Sequence, residues 1–513
     1  MHTDLSPDPS RRSFLGLGLA AGSSLLLAAC GSGGTAGAGG GMADTLKWGW
    51  DLPTSWDPVT SSAGWDVHSL SLVYAGLTKQ NAQGVAVPAL AESWKYTEKG
   101  RRITFKLRSG LKFSDGTALD ATAVKKSIER GRDHPKSLIA AQLADIKTVS
   151  APDATTVVLD LTAPNYQIPS LFAGKTGMVV NPAAFERNAA GLATKPAGAG
   201  PYTLTSYVEN SQATLKRNPG YWDAAEIKVE NFQLFPLPDA ATVIAGLQSG
   251  RYNVAQIPGS QVAAAKSAGL QVQVIPSLVV AVLDINITKA PFDDPDVVLA
   301  LKFAVDRAAL LKTQQFGIGE VSYQPFPKGY VGYDPALEGV YAYNPAKARA
   351  LLAGSRYGTG APVTITASDP GNLPQQLQAQ LQAVGFKATI ETIPEAQSTQ
   401  IIYIQHSRAL AVDQFAGRDS TAQAFQVLFG TEGLLNPGRT TTPELTAAVQ
   451  KVVRTPLDDP GYPQVVRAAT SAAVHTMPNV FLFTTPRILA HTKSVSVLPN
   501  DTVVQRFEGV TVA

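Results

Sequence analysis

A single cysteine, Cys30, stands in 513 residues. No disulfide can form within the chain, and C-x-x-C redox or zinc chemistry is excluded. Charge is scarce as well. Asp, Glu, Lys and Arg make up 16% of the residues, below the usual quarter, and the formal net charge is +3. So small a balance argues against nucleic acid as the main partner. The six histidines, at 2, 68, 134, 406, 475 and 491, are scattered, and none lies at metal-ligand spacing from another. There is no G-x-S-x-G and no H-E-x-x-H. Gly174-Lys175-Thr176 imitates the end of a phosphate-binding loop, but the earlier glycine such a loop needs falls on Pro169. Asp293, Asp294 and Asp296 stand at a helix start, where carboxylates cap free N–H groups. With no nucleophile–base pattern, an enzyme is not expected, nor is a cofactor or a metal.

A long hydrophobic run is missing too. The one apolar stretch, Phe14 to Ala29, has sixteen uncharged residues, short of the ~20 that a spanning helix needs. Arg11 and Arg12 precede it, and small residues close it before Cys30. That order is the one found in a secretory signal peptide. Ser10 to Leu15 resembles a twin-arginine export signal. Leu27-Ala28-Ala29-Cys30 is similar to a bacterial lipobox, which implies cleavage before Cys30 and lipidation of its thiol. Cleavage leaves the net charge unchanged, because Asp4, Asp8, Arg11 and Arg12 leave together. The residues from Gly31 to Gly41 have no apolar pattern and are expected to be a flexible tether. One acyl chain holds a membrane only marginally, so stable anchoring needs more than one.

The remainder is too long for one core, so two or three domains are expected. Strand and helix signals alternate. Ile103 to Leu107 is expected to be a strand. Asp120 is placed to cap a helix to about Arg130, and Asp239 to start one ending at Gly250. Asp294-Pro295 and Asn344-Pro345 pair a cap with proline at the first helical position. The face of the first of these helices continues through Ala308. Leu377, Leu381 and Val384 mark another helix, stopped by Gly385. Phe386 to Glu391 and Val480 to Thr484 are expected strands. The fold class is α/β, and no internal repeat is found.

One segment, "PALAESWKYTEKGRRITFKLRSGLKFSDGTALDATAVKKSIER" from Pro88, resembles the signature region of family 5 solute-binding proteins of ABC importers. "VYAGL" at Val73 comes before it. Later come "AGPYTLTSYVENSQATLKRNPGYW" from Ala199, "DAATVIAGLQSGRYNVA" from Asp239 and "APFDDPDVVLALKFAVDRAAL" from Ala290. "YNPAKARALL" from Tyr343 and "LQAQLQAVGFKATI" from Leu377 complete the set. The blocks keep the family's order over about residues 46 to 513. The resemblance implies a type II periplasmic-binding-protein-like fold, with two hinged lobes and an inserted third domain. Domain I is expected at 45–78, 199–286 and 492–513, domain II at 79–198 and domain III at 287–491. It also implies capture of a peptide or peptide-like solute between domains I and III. The solute then passes to a permease and ATPase complex. The resemblance further implies a monomer, lipid-anchored on the outer face of the cytoplasmic membrane. A carrier of a non-peptide anion or chelated metal, an exported enzyme and a sensory binding protein are the other readings.

In the family's peptide binders an aspartate pairs with the peptide α-amine, three residues after a tryptophan. The matching stretch here is "VDQFAGRDS", Val412 to Ser420. Phe415 takes the tryptophan place, so Arg418, three residues on, takes the aspartate place. A one-residue slip puts Asp419 there instead. A buried arginine favours a carboxylate or phosphate, which its fork holds with two hydrogen bonds. Arg418 is therefore expected either to hold an anionic group or to pair with a neighbouring carboxylate. Trp50 and Trp56, with Trp48 and Trp65, are candidates for the cleft wall, since tryptophan gives contact area at little entropic cost. "QPFPKGY", Gln324 to Tyr330, is a further candidate loop.

Overall fold

The alternating signals resolve into three main sheets. The computed structural model describes residues 44–513, apart from 237, 238, 369, 370 and 502. The export-like stretch, Cys30 and the glycine tract lie outside the described residues. A seven-stranded sheet runs, edge to edge, Gln271–Ile275, Arg487–His491, Val254–Gln256, Thr45–Gly49, Asn231–Phe235, Gln212–Arg217, Tyr202–Val208. A five-stranded sheet runs Lys387–Thr392, Pro362–Ala367, Leu410–Phe415, Val280–Ile285, Val480–Thr484. Between the strands Thr45–Gly49 and Tyr202–Val208 the chain makes a four-stranded antiparallel sheet, Ala91–Thr97, Arg102–Leu107, Thr156–Leu161, Ile146–Asp153.

Each sheet has its own core. Leu46, Trp48, Phe232 and Leu234 fill that of the seven-stranded sheet. Ile103, Phe105, Val157 and Leu159 face the helix Ala121–Asp133 across the four-stranded one. In the inner strand Val280–Ile285 every residue is buried, because helices cover both faces of its sheet.

The capping signals act as expected at several helix starts. Asp120 accepts from the Ala123 N–H at 2.8 Å, Asp294 from Asp296 at 2.9 Å and Asn344 from Lys347 at 3.0 Å. Two helices differ from the reading. The helix after Asp239 begins only at Val243, since Asp239 closes a turn by accepting from Ala241 at 2.9 Å. The face from Val297 to Ala308 is split. One helix ends at Ala304, and Asp306 caps the next by accepting from Ala309 at 3.0 Å. The buried Arg307 donates to the Lys302 and Val305 carbonyls at 3.3 and 3.4 Å, satisfying acceptors that the break leaves open.

The chain passes between the seven- and five-stranded sheets twice, at 276–279 and at 485–486. The two passages lie side by side. Ser277 Oγ donates to the Thr485 carbonyl at 2.6 Å, and the Thr485 N–H donates to the Val279 carbonyl at 2.8 Å. Each passage lies one strand before the domain boundary expected from sequence, at 286 and at 491. Val280–Ile285 pairs within the five-stranded sheet, and Arg487–His491 within the seven-stranded one.

The four-stranded unit is fastened to the first loop of the seven-stranded unit by a bidentate ion pair. Arg130 on the helix Ala121–Asp133 meets Asp57 through Nη1–Oδ1 at 3.0 Å and Nη2–Oδ2 at 2.5 Å. Their side chains are only 7% and 2% exposed.

Candidate functional site

Loops from all three units converge on one cavity of about 310 Å³. Its size is at the small end of ligand pockets. Ser277, Leu278, Val279 and Arg487 come from the two passages. Gly417, Arg418 and Asp419 follow the strand Leu410–Phe415. Lys175 and Thr176 come from the four-stranded unit, and Trp65 and His68 from the helical turn after the first loop.

Gly417 is required by the backbone twice over. Its φ is +73°, in the left-handed region, and a Cβ there would lie 2.3 Å from the Leu278 Cβ. The tight turn brings Arg418 and Asp419 to the wall together, so both members of the alternative face the cavity. Asp419 packs so closely on Gly174 that a Cβ at 174 would lie 2.1 Å from its Cγ. Gln80 donates from its amide to the Asp419 carbonyl.

The charges of this wall are poorly matched within the protein. Among the described residues no carboxylate oxygen comes within 4.0 Å of an Arg418 or Lys175 nitrogen, and Asp419 forms no ion pair. Arg418 donates from Nη1 to the Gly417 carbonyl at 2.5 Å and lies 5.4 Å from the Phe415 ring centre. Burial lowers its pKa, and Asp419 and Asp413 partly offset this. Burial pushes the Asp419 carboxyl up to about 6, against the pull of Arg418 and Lys175. His68 accepts at Nδ1 from the Gln505 N–H at 2.9 Å. Burial and Arg487 keep this ring neutral.

Phe415, Trp50 and Trp56 do not line the cavity. Phe415 is fully buried among Phe425 and Val282 and supports Arg418 from behind. Trp50 stacks on Trp48 at 5.1 Å and meets His68 edge-on, so it backs the wall without reaching it. Trp56 packs on Tyr207 at 5.9 Å in the core. Of the four tryptophans only Trp65, 40% exposed and stacked on His68, is on the cavity. The segment Gln324 to Tyr330 lies elsewhere, with Phe326 and Tyr330 in the core of the five-stranded unit. Lys175, Arg487 and His68 were not singled out from sequence. The Gly174-Lys175-Thr176 run was noticed only for a motif it fails to complete.

Behind Arg418 lies a buried acid pair. Tyr403 Oη is 2.6 Å from Asp284 Oδ2 and also hydrogen-bonds Asp413. A phenol has one proton to donate, so one carboxyl must be protonated and donate to the phenol oxygen. Asn479 donates to Asp284 at 2.7 Å, and the Gln414 N–H to Asp413 at 2.7 Å. Glu395 faces Asp413 as a further acid, and Arg418 is its nearest opposing charge. Burial, then Asp413, holds the Asp284 carboxyl well above its ordinary value. A raised folded-state pKa favours the folded form at low pH, and that advantage is lost as pH rises from about 4 toward 7. Asp284→Asn therefore weakens stability at pH 5 relative to its effect at pH 7.5, by about 2 kcal/mol or more. Denaturant unfolding at the two pH values checks this. An equal effect at both would mean the pair holds no proton.

Among the described residues, no group of three or more His, Cys, Asp or Glu is placed to hold a metal ion. None of their helices is long and apolar enough to cross a membrane. A charged cleft walled by three units is suited to holding a polar solute.

The comparisons with known proteins agree. The profile described as "Bacterial extracellular solute-binding proteins, family 5 Middle" matches residues 85–433. The chain belongs to family 5 of the bacterial extracellular solute-binding proteins, and its fold is that of the type II periplasmic binding proteins. The glutathione-binding protein GsiB of Escherichia coli O1:K1 / APEC is 30% identical over 344 residues, 63% of this chain and 64% of that protein. GsiB of Shigella dysenteriae serotype 1 (strain Sd197) gives the same figures. The match thus spans somewhat under two thirds of these relatives' length. Among solved structures, AgaA from A. tumefaciens R10, in complex with agropinic acid, has a TM-score of 0.77 at 24% identity, covering 91% of this chain and 99% of its own. DppA from Helicobacter pylori, in complex with the peptide STSA, has a TM-score of 0.77 at 22% identity, covering 91% and 97%. Such likenesses speak for the fold.

Proposed function

We propose that the protein captures a peptide or peptide-like solute in this cavity and hands it to an ABC permease, whose ATPase drives import. One observation carries the reading. Adjacent Arg418 and Asp419 face the same cavity, and neither has an ion-pair partner among the described residues. A solute with an ammonium and a carboxylate completes both, and leaving either buried charge unmatched costs a few kcal/mol (about 2–5). The names of the relatives support the class, since they include binders of glutathione and of a peptide. The protein works by binding and not by bond-making. It acts outside the cytoplasmic membrane as a monomer, held by lipid on Cys30. The division into domains I, II and III belongs to the same reading, with closure about the two passages burying the solute.

Native mass spectrometry of residues 43–513, purified without denaturant, tests it. Added masses that correspond to peptides or amino-acid conjugates are expected. A bound solute with no ionised group, or turnover of an added peptide, would overturn the proposal. The excess of positive charge on the wall favours one second reading, a non-peptide organic acid, which would show as a single discrete added mass.

A further inference from the structure

Beside Arg418 the cavity wall holds further cations, Arg487 and Lys175, and Lys175 comes from the inserted four-stranded unit. Lys175 begins a short 3-10 turn, Lys175–Gly177, directly after the glycine on which Asp419 packs. Its ammonium donates to the Ser61 carbonyl at 2.8 Å, with the Ser61 hydroxyl at 3.4 Å and the Ala63 carbonyl at 3.5 Å. Only the first of these is a bond of full strength. An ammonium has three donors, so donor capacity remains toward the cavity.

Asp66 is the nearest acid behind it, and that carboxylate is already satisfied. It accepts from the Thr54 N–H at 3.1 Å, the Thr54 hydroxyl at 2.5 Å, the Ser61 hydroxyl at 2.6 Å and the Ala63 N–H at 3.3 Å. The carbonyls of Ser61 and Ala63 thus fix the lysine's position without neutralising it. Arg487 adds positive charge to the same wall while its Nη2 donates to the Asp501 carbonyl. Among the described residues Asp419 is the one carboxylate on the wall.

We infer that Lys175 is a specificity-determining residue that holds a second acid group of the solute. The solute class is then a small amino-containing diacid. Its ammonium lies at Asp419, one carboxylate on the Arg418 fork and the other at Lys175, and it carries net negative charge. Apolar Leu138, Ile139 and Val279 leave room for its uncharged parts. The inference rests on the capture reading above.

Isosteric probe pairs separate the two. Calorimetric titration uses Ala-Glu against Ala-Gln, and glutathione against its glycine amide, on the full chain. The diacid of at least one pair is expected to bind tenfold or more tightly than its amide. Lys175→Met should weaken the diacid about tenfold and leave the amide unchanged, while Lys175→Arg keeps the preference. Equal binding of acid and amide by the unaltered protein would overturn the inference and leave capture standing. So would a Lys175→Met variant that loses both forms alike, since the lysine would then be a staple for the Ser61 loop. Binding of no member of either pair would overturn the capture reading and this inference with it.

Discussion

Arg418→Ala weakens binding of an acid-bearing peptide by roughly a hundredfold, with the unfolding temperature of the empty protein little changed. The magnitude follows from removing one side of a desolvated charge pair, about 2–5 kcal/mol, taken at its lower end because the guanidinium is half-buried. Arg418→Lys recovers only part of the loss, since an ammonium cannot reproduce two parallel hydrogen bonds. Empty-state stability should hold because Arg418 donates to a single carbonyl, that of its own neighbour, and crosses to no other element by hydrogen bond. Titration calorimetry with glutathione measures the effect. Unchanged affinity would mean that the guanidinium faces solvent in the bound state.

Arg130→Ala is the most damaging single change expected for stability. It leaves the Asp57 carboxylate, 2% exposed, without its counter-charge, at a cost of about 3–5 kcal/mol. Asp57 keeps the Val59 N–H as a donor at 3.1 Å, which is too little for a full negative charge. The double variant Arg130→Ala, Asp57→Asn should therefore be more stable than Arg130→Ala alone, since no buried charge remains. Denaturant unfolding of the pair decides it. If the double variant were the weaker of the two, the ion pair would not be the reason for the loss.

The legible features were local ones. A cap such as Asp120 or Asn344 acts within three residues of itself, so its chemistry is visible in a short window. Asp306 recapping a broken helix was hidden, because Arg307 at the break is also held by the distant Phe481 and Tyr341 carbonyls, at 2.7 and 2.9 Å. In the cavity, Arg418 and Asp419 stood out because a family pattern pointed at them. Lys175 did not, because its place depends on the Ser61 loop and on Asp419, 114 residues before it and 244 after. Tryptophan content could not separate Trp65 from Trp50. The same ring suits a core or a wall, and only packing against Trp48 tells which. The acid pair did leave a signal that was passed over. Asp284 interrupts "VAVLDI", an otherwise apolar run, and a carboxylate in a strand buried on both faces needs a partner or a proton.

The two passages between the large sheets, tied by Ser277 and Thr485, also supply Ser277 to Val279 and Arg487 to the cavity wall. In the proposed closure the pivot and the solute contact would be the same few residues. Two ribbons tied side by side bend more readily in one direction than they twist, so the proposed closure would run along essentially one angle. Force applied by a solute acts on the short arm of a lever, and the outer rims travel on the long arm. A fraction of an ångström at Val279 becomes a displacement several times larger at the rim, where a membrane partner would sense it. A reporter pair placed on the rims, far from the solute, would therefore register occupancy with more amplitude than one placed beside it.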